Sequence, residues 1–269
     1  MPEKIDKERA IRVLVKDSVE IFASTFKDRH EAEVDNPDGV LNMKIHNVFI
    51  AILGAEIQYY TALVRSFDSS LGNMLEKLAV NIASLSFDVK KSVEGNMSIS
   101  QTRKIAELLE TYKRREKKPE VKDYAFLNDE LKDDKVFKRH DSDYYLYSKE
   151  EKAHYLIELK IGGDLDNKKA RSEKEAILEQ YAILSNTIKG ERKIKIFFAT
   201  AYNRFGEGNA WKQERVRQFF ADEELLIGEK FWNFVCKDDN GYKIVLDEYK
   251  KNASHIKDAL EAIKKTYLD

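Results

Sequence analysis

A short apolar run at residues 155–161, Tyr-Leu-Ile-Glu-Leu-Lys-Ile, constrains the fold of this chain most, because it contains two charged residues. Side chains alternate between the two faces of a β-strand, so Glu158 and Lys160 fall on one face while Tyr155 and Ile157 fall on the other. Burying a lone charge is costly, so a buried strand keeps such a pair where the charges neutralise each other or bind a metal ion or a substrate. The run therefore predicts a buried strand that carries either a structural ion pair or a functional site.

An aspartate precedes a second apolar run. Asp143 is followed directly by Tyr-Tyr-Leu-Tyr at residues 144–147, and a charged segment separates this run from the strand of Glu158. We expect the two runs to form a β-hairpin with Asp143 at the start of its first strand. An acid at the start of one strand and Glu-x-Lys in the next is how a magnesium-dependent nuclease site is usually assembled. Asp141 is an alternative first acid, and Asp143 is preferred because it directly precedes the apolar run.

These residues suit the hydrolysis of a phosphodiester, which needs charge stabilisation at the phosphate and an activated water; Mg²⁺ held by hard oxygen ligands supplies both. Asp143 and Glu158 are the expected ligands, together with the backbone carbonyl of Leu159. Lys160 would orient or deprotonate the attacking water and stabilise the transition state. Glu76, on a predicted helix, is a further candidate acid for a second metal ion, and its alternative is an ordinary surface residue.

Composition limits the class of protein. The 269 residues are 42% hydrophobic and 35% charged, which is typical of a globular protein with a substantial core. The formal net charge is −1, so DNA binding would depend on local basic patches. Cys236 is the single cysteine and excludes an intrachain disulfide, and the five histidines lack the spacing of a zinc site. The sequence has neither a membrane-length apolar run nor a signal core, which predicts a cytoplasmic protein without membrane contact.

Apolar periodicity predicts the other elements. We expect helices around residues 10–26, 45–63, 68–85, 102–115, 172–188 and 247–267, and further strands at residues 193–200 and 225–227. The helix at 45–63 is apolar on most of its circumference, which favours a core position. We expect a loop from residue 90 to the start of the fourth helix and a polar connector at 119–140. The basic cluster at 113–118 fits either a solvated helix end or phosphate contacts.

Two polar segments are candidates for DNA recognition, since Arg and Lys donate to guanine and Asp and Glu accept from cytosine. The first is a predicted loop directly after the catalytic strand, and the second follows residue 200. Their candidate residues are Asp166, Asn167, Lys168, Lys169, Arg171, Glu173, Asn203, Arg204, Lys212, Gln213, Arg215 and Arg217. For each residue alone, a solvated charge or a phosphate contact is an equally good interpretation. We favour the first segment because it begins close to Lys160.

The motif Asp143-x14-Glu158-Leu-Lys160 resembles the PD-(D/E)xK nuclease signature, with Ser142 where a weakly specified proline often stands. Residues 65–79 resemble the helix that brings an additional acid to the site in many such enzymes, here Glu76. Residues 158–181 closely resemble TdeIII-type type II restriction endonucleases, and with residues 228–234 the similarity extends over nearly the whole chain. The resemblance implies a homodimeric, Mg²⁺-dependent endonuclease, with Mn²⁺ able to substitute, that recognises 5′-GGNCC in double-stranded DNA.

The expected fold is a single α/β domain over residues 1–269. It has a PD-(D/E)xK restriction-endonuclease-like core, in which a central mixed β-sheet is flanked by α-helices, and helical additions at both termini. The helical N-terminal part covers about 1–118, the nuclease core about 65–200 including the Glu76 helix, and the C-terminal part about 201–269. Two other functions stay open on the sequence: a structure-directed repair or junction-resolving nuclease, and a non-catalytic DNA-binding module in which Glu158 and Lys160 form a structural pair.

Overall fold

The computed structural model describes residues 2–129, 134–188 and 193–268. The chain divides into two compact units, a helical unit up to Ile82 and again from Lys243, and a sheet unit over Ala83–Tyr242. The expectation of a single domain stays a prediction. In chain order the elements are α1 (Pro2–Ala32), α2 (Val48–Ala51), α3 (Ala55–Ala83), β1 (Asp88–Ser98), α4 (Ile99–Lys113), β2 (Lys135–Ser148), β3 (Ala153–Leu159), α5 (Asn167–Thr187), β4 (Lys193–Thr200), α6 (Glu214–Arg217), β5 (Leu225–Ile227), α7 (Glu229–Cys236) and α8 (Gly241–Leu268).

The helical unit is built on the apolar stripe of α1. Ile11, Val15 and Val19 recur every four residues and are fully buried, and Phe22 and Phe26 continue the stripe. These residues confirm the predicted helix at 10–26, which the structure extends in both directions. No helix in the described part of the chain is long and apolar enough to cross a membrane.

The predicted second and third helices are wrong in their boundaries. Gly54 has a positive φ of 96° and interrupts the chain, so the short α2 precedes it and one long helix, α3, follows. The core position expected for this segment is also wrong, because Phe49 and Ile52 are 82% and 81% exposed. An apolar helix needs another element to cover it, and periodicity alone does not say whether one exists.

The sheet unit contains a mixed five-stranded sheet within the described residues, in the order β1-β2-β3-β4-β5. The pairs β1/β2 and β2/β3 are antiparallel, while β3/β4 and β4/β5 are parallel. Between β3 and β4 the chain passes through α5, as a parallel pair requires a crossover. The predicted hairpin is confirmed by β2 and β3, and the predicted strand at 193–200 is confirmed by β4. The predicted α/β restriction-endonuclease-like class is confirmed as well.

Two strand segments were not predicted. β1 occupies the segment expected to be a loop, and β2 begins at Lys135, inside the expected polar connector and well before Asp143. Val93 and Met97 are buried, but most of β1 is polar and half or fully exposed. Backbone pairing with β2 stabilises this strand, and the pattern of apolar residues does not predict such pairing.

The two faces of the sheet carry different cores. On one face Leu156 and Phe198 belong to the cluster that includes Ile177 of α5. On the other face the ring of Tyr155 packs against those of Phe197 and Phe234. Glu158 pairs with Phe198 in the parallel β3/β4 register and therefore lies on the face covered by α5.

Candidate active site

Glu158 and Lys160 form an ion pair at the carboxyl end of β3. Lys160 Nζ lies 2.5 Å from Glu158 Oε1, and the two side chains are 33% and 12% exposed. β3 ends at Leu159, so Lys160 is the first residue beyond the strand. The glutamate side chain is therefore mostly buried, while the lysine side chain is partly exposed.

The backbone on either side of Lys160 has a defined direction. Its N–H donates to the carbonyl oxygen of Ala199 on β4 at 3.0 Å. A trans peptide places its N–H and C=O on opposite sides, so the Leu159 carbonyl points away from β4 and toward β2. The backbone oxygen predicted as a metal ligand thus faces the strand that carries Asp143.

Asp143 lies in an irregular part of β2. Tyr144 pairs with Ile157 on β3, one residue before Glu158. Across the other edge of β2, Asp141 pairs with Ser92 and Tyr145 with Lys90, so four steps along β2 span two steps along β1. Such bulges change side-chain direction and are common beside active sites. The side chains of Asp141 and Asp143 fall outside the described residues, so their roles and the choice between them stay predictions.

A second carboxylate approaches the lysine from α5. Glu173 Oε1 lies 3.4 Å from Lys160 Nζ. Because Asp166 caps the helix by accepting the N–H of Lys169 at 2.8 Å, α5 begins at Asn167 and Glu173 falls in its second turn. The loop expected over residues 164–171 is therefore wrong from Asn167 onward. The sequence indicated Glu173 as a base reader and contained no signal for this contact.

The next residue of α5 makes a buried ion pair. Lys174 Nζ lies 2.7 Å from both carboxylate oxygens of Glu224, and the two side chains are 1% and 2% exposed. The hydroxyl of Tyr124 also donates to Glu224, at 2.9 Å. Desolvation lowers the pKa of Lys174, against the opposing effect of Glu224. This pair holds the first turns of α5 in place and hence the position of Glu173. Its two partners are fifty positions apart in sequence, so no local pattern predicted the contact.

The two predicted DNA-recognition segments meet beside this site. Asp164, just after β3, lies 2.8 Å from Arg204 Nη1 and accepts a hydrogen bond from Gln213 Nε2 at 3.1 Å. Gly163 turns the chain between them with φ +64°, and a Cβ there would lie 2.7 Å from Thr200 Cγ2. The end of β3 and residues of both segments therefore lie next to one another.

Comparison with known proteins identifies the family of the chain. The model of the HinfI family, described as a type II restriction endonuclease, matches residues 7–253. The chain belongs to the HinfI family of type II restriction endonucleases. No curated protein and no solved structure matches it significantly. Membership makes the chain a site-specific deoxyribonuclease, which confirms the predicted enzyme class over a non-catalytic module.

Several residues expected to read DNA have structural contacts in this HinfI-family chain. Asn203 is buried; its N–H donates to Glu207 at 2.6 Å and its side-chain amide to the Asn209 carbonyl at 2.8 Å, so it organises a loop. Arg217 Nη2 lies 3.0 Å from Asp222. The remaining candidates are exposed or half-buried side chains at the surface of the sheet unit: Asn167, Lys168, Lys169, Arg171, Lys212 and Arg215.

One side chain of the predicted metal site, that of Asp143, is not among the described side chains. Type II restriction endonucleases generally use divalent metal ions, but the described residues contain no group of three His, Cys, Asp or Glu side chains placed to hold one. Glu76 lies on α3 in the helical unit and is half-buried, and its role at the active site stays a prediction.

Proposed function

We propose that this HinfI-family chain hydrolyses double-stranded DNA within a short pseudo-palindromic site, using Asp143, Glu158 and Lys160. The observation that carries the proposal is the Glu158–Lys160 pair at the end of a central strand, on the face beneath α5. A structural ion pair would be expected to be closed off from solvent, as Lys174 and Glu224 are. The partly open ammonium of Lys160 instead suits contact with a phosphate or water.

Lys160, Glu158 and Glu173 have different roles in the proposed reaction. Lys160 holds the attacking water and offsets the negative charge that develops on the phosphate. Glu158 and Glu173 contact the Lys160 ammonium group from two sides and hold it at the end of β3. Lys160 is in this way preorganised before DNA binds, which reduces the reorganisation needed in the transition state.

The oxygen donors at this site fit a hard divalent cation. The Glu158 carboxylate and the Leu159 carbonyl would hold Mg²⁺ together with Asp143, and Mn²⁺ has similar preferences and can substitute. The ion, when bound, would supply charge neutralisation and an acidified water. Glu76 is retained as an auxiliary acid.

The recognition sequence is a finer proposal. The family match is to HinfI, so the assignment to the TdeIII type, and with it 5′-GGNCC, depends on the resemblance of residues 158–181. Exposed cations that follow Lys160 within ten residues of sequence, such as Lys168 and Lys169, are the candidates for donating to guanine in such a site. A two-fold site is matched by a two-fold dimer, so we propose a homodimer that cuts one strand per subunit. An enzyme that cleaves incoming DNA in a prokaryote would act in the cytoplasm.

Digestion of a plasmid of known sequence, followed by sequencing of the fragment ends, tests the function. We expect discrete fragments in Mg²⁺ or Mn²⁺ whose ends share one short site, and none in EDTA. Ends at another short sequence would keep the restriction activity and reject 5′-GGNCC. Cleavage confined to branches or ends would favour the repair or junction-resolving nuclease instead.

Variants assign the chemistry. Lys160→Ala and Glu158→Ala should abolish cleavage while the fold and most of the DNA binding persist. Lys149→Ala is the matched control, because Lys149 is an exposed lysine at the opposite end of the same hairpin. Undiminished cleavage by Lys160→Ala would reject the assignment. Sedimentation of the protein with and without DNA measures whether a dimer forms.

A further inference from the structure

We propose that a basic surface at the end of α4, formed by Arg115, Lys117, Lys118 and Arg217, binds DNA phosphates that flank the cleavage site. This flanking surface is separate from the two segments expected to recognise bases, apart from Arg217. The inference depends on the proposed DNA cleavage and adds a second contact region to it.

The flanking surface surrounds an open cavity of about 440 Å³, whose lining also includes Glu214 and Asp222. Two of its cations are already paired, Lys117 with Asp123 and Arg217 with both Asp222 and Glu214. Arg115 and Lys118 have no ion-pair partner within the described residues. The cavity therefore presents two uncompensated cations, which is the charge that a phosphodiester backbone attracts.

Arg115 occupies a backbone position that is unusual for an arginine. Its N–H donates to the Tyr112 carbonyl and that of Glu116 to the Thr111 carbonyl, at 3.0 and 3.1 Å, which is the hydrogen-bond pattern of a Schellman motif. The central residue of this motif is left-handed and usually glycine, and here Arg115 has φ 59°. A helix end alone does not favour arginine at this position, which points to a role for the side chain.

A chain of contacts connects the flanking surface to the proposed catalytic residues. At the end of α4, Tyr112 donates to Asp123 at 2.8 Å. The neighbouring residue, Tyr124, donates to Glu224, the buried partner of Lys174. Lys174 directly follows Glu173, which contacts Lys160.

A further contact joins the two parts of the surface. Gln218, next to Arg217, donates from Nε2 to the carbonyls of Tyr112 and Lys113 at 3.0 and 2.9 Å. The end of α4 is thus held to α6, whose preceding residue Gln213 contacts Asp164 beside the catalytic strand. A duplex seated at Lys160 would have to extend beyond the cleavage site, and this surface offers its backbone a positive contact.

The test uses Arg115→Gly and Lys118→Ala in the full chain. Glycine removes the side chain and relieves the left-handed backbone, so Arg115→Gly should fold at least as stably as the parent protein. Arg103→Ala is the matched control, because Arg103 is an exposed arginine at the other end of α4. Binding to a duplex that contains the mapped site is measured by fluorescence anisotropy across a salt series, with Ca²⁺ in place of Mg²⁺.

Each variant should weaken binding roughly 5- to 10-fold near 0.1 M salt and lower the salt-dependence slope by about 1. The parent protein and the variants should bind alike once the duplex is shortened to the site itself, and Arg103→Ala should match the parent throughout. An unchanged slope on the long duplex would overturn the proposal, as would an equal loss on the shortest one. Absence of cleavage by the parent protein is a different result, which would instead reject the proposed function.

Discussion

Glu173 Oε1 of α5 lies 3.4 Å from Lys160 Nζ, so a carboxylate thirteen residues away in sequence contacts the lysine at the end of β3. 

The contact depends on where the helix begins, because a start one residue later would turn every side chain by about 100° around the helix axis. The cap formed by Asp166 sets that start, and the buried Lys174–Glu224 pair holds it. A local capping signal and a distant ion pair therefore act together on Lys160, the proposed catalytic lysine.

Glu173 is predicted to position Lys160. Glu173→Gln removes the charge and keeps the shape, so kcat should fall roughly 10- to 100-fold with little change in KM for DNA. Glu173→Asp, which keeps the charge, should retain more activity than the glutamine variant. The control is Glu175→Gln on the same helix, whose nearest cation, Arg171, is 4.0 Å away. A fall in DNA affinity with unchanged kcat would instead support the base-reading role first expected for Glu173.

Removal of one partner of the buried Lys174–Glu224 pair is predicted to destabilise the fold. Lys174→Met leaves the Glu224 carboxylate buried without its cation, which should lower the free energy of unfolding by about 3–5 kcal/mol. The double variant Lys174→Met/Glu224→Gln should recover part of this loss, because no buried charge is left unpaired. Urea denaturation measures both. A single variant as stable as the exposed-site control Lys169→Met would contradict the prediction.

Glu179 is predicted to make stability sensitive to acid. His140 and Lys138, whose nitrogens lie 2.9 and 2.6 Å from its oxygens, lower the pKa of Glu179 although burial opposes them. A carboxylate with a lowered folded-state pKa adds stability above its unfolded pKa, about 4.3, and loses it as the pH falls further.

The corresponding variant is Glu179→Gln, studied by unfolding at several pH values. It should be less stable than the parent protein at pH 7, and the difference should shrink below about pH 4 as the parent's carboxylate is protonated. Glu107→Gln, at an exposed position of α4, should show little pH-dependent difference. A Glu179→Gln deficit that stays constant down to pH 3 would refute the electrostatic origin.

Gly163 is predicted to be intolerant of any side chain. Alanine there would combine a left-handed backbone with a Cβ 2.7 Å from Thr200 Cγ2 and 3.1 Å from the Trp211 ring. The backbone should cost about 1 kcal/mol and the overlap about 1–3 kcal/mol more, and cleavage should fall because Gly163 N–H bonds the Lys160 carbonyl. Gly208→Ala is the matched control, since Gly208 has φ +82° but open space around it. Equal losses of stability in the two variants would exclude a contribution from steric overlap at Gly163.

Much of the sheet was predictable because its signals are local. The alternation around Glu158 and the apolar run at β4 each describe one strand, and the structure contains both strands as expected. β1 was missed because it is polar and is held by its pairing with β2, a property of two segments rather than one. The apolar helix around Phe49 was predicted to lie in the core, but its apolar face is exposed. The prediction failed because no local pattern states what covers a surface.

The sequence by itself determined the candidate chemistry: Glu158 and Lys160 are two residues apart on extended backbone and therefore lie on one side of it, and Asp143 lies on the neighbouring strand of the same hairpin. Tertiary structure alone decided which distant groups surround that pair. Glu173 reaches Lys160, and Lys174 finds Glu224, because α5 crosses the sheet at a particular height and rotation. That geometry results from packing between elements, whose distances and angles are not contained in the periodicity of any one of them.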